Sequence, residues 1–412
     1  MTETIDKIFR FIPYRKHDIA EMCLQDNLLT GHENDFRNVY YMLSSIFHFE
    51  FHKIIESLKD SYVLMDPDSD TRHFENNKLN TELNFIELMS GLLEKANYER
   101  VTEADLNQAL NESSLFKIRL HVDFDDFSEV LLFSRGESIK QESIKTWFGL
   151  SSKTIAFTNY ERVVVYLRFK DDYCASKAAL PDFKPGSTVL KLFQNVPKAD
   201  LEMLFPNTAV KMRTIDKLLI GIPAMISGGI VLTTKLGASL ILLASLIGFS
   251  IGLSNQPVDL NKTAIMTLLA GMAALLGYLW KQLNSFKNRK LSFLQALTQN
   301  LYFKNLDNNA GVFHRLADDA EEEECKEAIL AYYILLVSEQ PLSKKALDEE
   351  IESWMRSNWD CNIDFEIEDA LDKLLTLKLV TIQDDKLSAI AINEAILRLD
   401  KRWDDYFIPT NK

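Results

Sequence analysis

LLIGIPAMISGGIVLTT (218–234), LGASLILLASLIGFSIGL (236–253) and TAIMTLLAGMAALLGYLW (263–280) form the block on which the reading of this chain turns. Lys235 is the one charge within the runs or between the first two. Hydrocarbon about 30 Å thick needs roughly 20 mostly apolar residues to span it. None of the three runs shows the polar face of a helix packed in a water-soluble core, so the block predicts membrane crossing. Lys211, Arg213 and Lys217 precede it, and Lys281, Lys287, Arg289 and Lys290 follow it. Basic flanks stay on one side of a bilayer, which calls for an even number of crossings. The second and third runs then form a hairpin around SNQPVDLNK (254–262), with Tyr278 and Trp280 as interfacial anchors. The first run, broken by Gly221, Pro223, Gly228 and Gly229, lies at the interface or re-enters; three full crossings are the alternative. Ala244, Gly248 and Gly252, with Ala273 and Gly277, make faces of small residues suited to close helix packing. Packing within one hairpin is the plain reading, and a homo-oligomer or pore the other.

The averages hide this block. Hydrophobic residues make up 47% of 412, and mean hydropathy is −0.10. That length suggests two or three folding units. A net charge of −14 argues against nucleic acid as a partner. Cys23, Cys174, Cys325 and Cys361 are far apart and form no C-x-x-C pair, which points to a reducing compartment rather than a disulfide framework.

On either side the period changes. Residues 1–115 read as helical, with helix-spaced apolar residues over 38–60 and a capping box at Thr102 to Asp105. Residues 116–210 hold β-branched and aromatic runs bounded by turn signals, a small antiparallel β domain. After the block (216–282) come a juxtamembrane helical region (283–325) and an acidic winged-helix-like domain (326–412). The fold class expected is therefore an α+β membrane protein. From Asp318 to Lys412 there are 24 acids and 11 bases, a net of −13, so the winged-helix-like domain would repel phosphates and suits a protein partner.

Few motifs converge. Gly248-Phe249-Ser250-Ile251-Gly252 matches a nucleophile elbow but lies in an apolar helix, where no strand precedes it. His48 and His52 share a helix face among phenylalanines and read as an ordinary packed helix. Asp66, Asp68 and Asp70 begin like a calcium loop, but Thr71 and Asn77 stand where that loop needs Gly and Glu. Glu321 to Glu324, beside Cys325, fan around a helix and read as a solvated face rather than a metal site. No P-loop or G-x-G-x-x-G is present.

FIPYRKHDI (11–19), VLLFSRG (130–136), YERVVVYLRFK (160–170), LFQNVPKADLEMLFP (192–206) and above all LYFKNLDNNAGV (301–312) resemble the transmembrane-protein-143-like family, whose shared region is domain-of-unknown-function family 3754. The resemblance implies membrane location and carries no catalytic residues. Since no transit peptide is evident, it implies a bacterial-type inner membrane, with the bulk of the chain on the cytoplasmic side. Lys304, Asn305, Asp307, Asn308, Asn309, Gly311 and His314 then stand out as a candidate interaction segment. The expected function is a non-enzymatic, membrane-anchored scaffold with the bilayer and an unknown protein as partners and no cofactor. The alternatives are the oligomeric pore and a membrane-bound metal-dependent enzyme built around Asp307, His314 and the acidic helix.

Overall fold

The computed structural model describes residues 8–68, 81–102, 105–106, 119–146, 151–173, 183–211, 245, 247, 251 and 262–407. They belong to two compact units, one drawn from 1–112, 124–201 and 304–412, the other from 113–123 and 202–303.

The first unit is built on an antiparallel five-stranded sheet. Its strands are β1 (Glu99–Arg100), β3 (Phe127–Thr146), β4 (Ser151–Phe169), β5 (Thr188–Pro197) and β7 (Asn305–Asn308), in the order β1-β3-β4-β5-β7. Successive side chains of a strand point to opposite faces, so register decides what each face holds. Leu131 lies opposite Tyr166, and Tyr166 opposite Leu190; Phe133 lies opposite Val164, and Val164 opposite Leu192. These six buried residues join one core with the helices.

Four helices supply much of the rest of that core: α1 (Lys16–Gln25), α2 (Glu33–Tyr62), α3 (Thr81–Lys95) and α5 (Ala310–Val337). In α5, Ala328 to Tyr333 are all fully buried, so this stretch of the helix is apolar on every side and is enclosed by its neighbours. Beyond it lie α6 (Lys344–Trp359), α7 (Ile367–Thr376), the hairpin β8 (Val380–Gln383) and β9 (Lys386–Ala389), and α8 (Ile392–Asp404). Ser343 caps α6 by accepting from the Ala346 N–H at 3.2 Å, and Leu347, Ile351 and Met355 bury one face of that helix. The β8–β9 turn uses Asp384 and Asp385 at φ 50° and 59°, the left-handed pair that suits a two-residue hairpin. The capping box expected at Thr102 to Asp105 forms its reciprocal bonds: the Asp105 N–H donates to Thr102 Oγ1, and the Thr102 N–H to Asp105 Oδ2.

The second unit holds a two-stranded pair, β2 (Arg119–His121) with β6 (Ala209–Lys211), and most of α4 (Lys262–Lys304). The expectation of an α+β membrane protein in a bacterial-type inner membrane is overturned here. No helix among the described residues is long and apolar enough to cross a membrane. The α+β class and the antiparallel sheet stand; the membrane part does not. The third apolar run is 18 residues, about 27 Å of helix, and it continues into a 43-residue helix bearing Lys281, Lys287, Arg289 and Lys290. The first run lies outside the described residues, as does the second apart from Ser245, Ile247 and Ile251.

Candidate functional site

The acidic run of α5 is not a solvated face. Glu321, Glu323, Glu324 and Glu327 are 2–7% exposed. Each residue of an α-helix turns 100° from the last, so four successive glutamates point around most of the circle. In an enclosed helix each direction meets a different element. Glu321 pairs with Lys16, at the start of α1, and lies 2.8 Å from Nδ1 of His48 on α2. Glu322 accepts from the Lys16 backbone N–H at 2.9 Å. Glu323 accepts from the Ile12 N–H at 3.2 Å and pairs with Lys326 at 2.9 Å, while Lys326 Nζ donates to the Ile12 carbonyl at 2.7 Å. Glu324 is held by Lys95 of α3 at 2.7 Å and by Lys373 of α7 at 3.7 Å. One turn on, Glu327 accepts from Lys373 at 3.0 Å and from the Asn97 amide at 3.4 Å. Arg135 of β3 completes the group, 3.7 Å from Asp319 and stacked over the rings of Phe11 and Tyr98.

Burial sets the electrostatics. It pushes the Glu327 carboxyl up to about 7 against the opposing pull of Lys373. Burial alone would lower the Lys373 ammonium, but Glu327 and Glu324 outweigh it and raise it. Desolvation pushes the Cys325 thiol up to about 12, which leaves it protonated and a poor nucleophile near neutrality. Sequence reasoning paired the glutamates with Lys326 alone and missed Lys16, Lys95, Arg135 and Lys373, which come from four separate places in the chain. The usable signal was the AILAYYILL that follows the glutamates, whose lack of a polar face announces enclosure.

The segment singled out from its sequence becomes the joint between sheet and helix. Lys304 ends α4, and Asn305, Asp307 and Asn308 lie in β7, which pairs with β5. Asn309 turns the chain at φ 48° and ψ −126°, with its N–H on the Leu190 carbonyl at 2.8 Å. Its side chain accepts from Tyr62 Oη at 3.1 Å and donates to Asp68. A Cβ on Gly311 would lie 2.9 Å from Asp307 Oδ1, so the Asp307 carboxylate packs closely over this glycine. His314 is exposed on the first turn of α5. Asp66 and Asp68 sit in the loop after α2, where Asp66 Oδ1 accepts from the Asp68 N–H; Asp70 is outside the described residues. Among the described residues no group of three or more His, Cys, Asp and Glu is placed to hold a metal ion. Ala244, Gly248, Ser250 and Gly252 lie outside the described residues. Ala273 is exposed, and a Cβ on Gly277 would meet nothing within 4 Å.

A cleft of about 410 Å³ opens where α2, α3, α5 and α7 meet. Phe47, Gly91 and Leu377 give it an apolar lining, and the Lys95–Glu324–Lys373 group also lines it. Glu94, Asp369 and Asp372 stand exposed at its mouth.

Residues 160–311, from β4 to the turn into α5, match the model of a family described as Protein of unknown function (DUF3754). No solved structure matches the chain.

Proposed function

We propose that this chain is a non-enzymatic interaction protein, and that the cleft between α2, α3, α5 and α7 receives a basic amphipathic segment of a protein partner. One observation carries the reading: an apolar-lined cleft whose mouth bears the exposed carboxylates Glu94, Asp369 and Asp372. Such a mouth attracts Lys and Arg, and such a lining buries the apolar side of the same segment. The α5 glutamates are occupied by their own cations, so they support the fold rather than a reaction. The same reading extends the likeness over 160–311 to the transmembrane-protein-143-like family. FIPYRKHDI enters α1, VLLFSRG is the part of β3 that ends at Gly136, and LYFKNLDNNAGV is the β7–α5 joint.

Deleting 318–412 would remove most of α5, so charge reversal is the cleaner test. Fluorescence anisotropy of a labelled Lys/Leu amphipathic peptide should show saturable binding. Asp369→Lys with Asp372→Lys should weaken it about tenfold or more, and an acidic peptide of the same pattern should not bind. No saturable binding, or binding indifferent to the reversal, would refute the reading.

A further inference from the structure

Beyond Ser138↔Asn159 the β3–β4 hairpin leaves the sheet. β1 pairs with β3 only at Phe133 and Ser134, and β5 pairs with β4 only from Asn159 to Arg168. From Ile139↔Thr158 to Thr146↔Ser151 the two strands pair with each other and, among the described residues, with no other strand. Eight rungs make an arm about 25 Å long. A two-stranded ribbon with both edges open is marginal in water, and an open edge is a template for another strand. Ile139, 63% exposed, adds an aliphatic side chain to it. Residues 139–158 carry Lys140, Lys145 and Lys153 against Glu142, so the arm is basic on a chain of net charge −14.

The outer strand reads ESIKQESIK from Glu137 to Lys145. Its charges are antisymmetric about Gln141: Glu137 mirrors Lys145, and Lys140 mirrors Glu142. Antiparallel pairing of two identical strands about a twofold axis matches each residue with its mirror image across the centre. A centre at Gln141 therefore sets every charged residue of this segment opposite one of the other sign, and no other centre matches all four. We propose that the outer edge of β3 pairs with the same edge of a second copy of this chain, about an axis at Gln141, joining the two arms into one four-stranded sheet. In that register Lys140 stands opposite the partner's Glu142, and Glu137 opposite the partner's Lys145. Lys140 Nζ, which donates to Asn195 Oδ1 at 2.8 Å in the single chain, gains a carboxylate in exchange. The outer edge of β4 has Lys153 as its one charge between Ser151 and Thr158 and offers no such match. This contact is separate from the acidic cleft and stands or falls without it.

Sedimentation equilibrium of the full chain at up to about 50 µM tests it. The chain should dimerise. Lys140→Glu alone and Glu142→Lys alone each set like charges opposite each other twice, and each should weaken the dimer about tenfold. The double swap should restore it to within about threefold of the native chain. Amide exchange over 138–145 should slow as concentration rises. A chain that stays monomeric, a swap no tighter than the single variants, or exchange indifferent to concentration would overturn the proposal.

Discussion

Glu327 shows most sharply what enclosure does to a side chain. The folded chain keeps its proton to about pH 7, whereas an unfolded glutamate loses it near 4.5. The stability this group contributes is therefore complete below about pH 4.5 and is lost as pH rises through about 7. Urea unfolding between about pH 5 and 8 should show the native chain losing about 1–3 kcal/mol more than Glu327→Gln; parallel curves would contradict this. Lys326 gives a complementary test, since its charge is 4% exposed and is matched by Glu323 and the Ile12 carbonyl. Lys326→Met leaves Glu323 buried with Arg135 as its remaining cation, at 4.0 Å, and should cost about 3–5 kcal/mol of unfolding free energy. Glu323→Leu with Lys326→Met should cost clearly less than the sum of the two single changes.

The elements differ in how openly their sequences announce them. The start of α6 is legible, because Ser343 precedes a run with apolar residues every fourth position. Removing that cap with Ser343→Ala should cost about 1 kcal/mol by thermal or urea unfolding. The positive-φ position within β3 is legible only in part. Gly136 sits at φ +73°, where an added Cβ would crowd Glu161 at 3.0 Å, while the pairing keeps its register from Arg135↔Arg162 to Glu137↔Tyr160. Gly136→Ala should cost about 1–2 kcal/mol and loosen amide exchange in the arm beyond it. β7 could not be read at all. Asn305–Asn308 has no β-branched or aromatic residue, and it becomes a strand because β5 offers an edge. The third apolar run misled for a related reason. A window of 18 residues does not show that the helix continues to Lys304, and the bilayer inferred from it has no spanning helix among the described residues.

Across the first unit, the chain's negative charge serves two ends. Inside, the α5 acids bind cations and backbone from the segment before α1 and from α1, α3, β3 and α7, fastening segments more than 300 residues apart. Outside, Glu94, Asp369 and Asp372 are left to meet a partner. The inner use was hidden in the sequence because four glutamates in a row look hydrated until their partners, scattered from Lys16 to Lys373, are brought around them. If α5 is the common clasp, loosening it at one point should loosen every element it holds. Hydrogen-exchange mass spectrometry of the native chain and of Lys326→Met measures this directly. Exchange should quicken together in residues 9–16, whose Phe9 bonds Asn362 and Asp364, in 95–98 and in 362–364. Quickening confined to the immediate neighbours of Lys326, or none at all, would contradict the clasp.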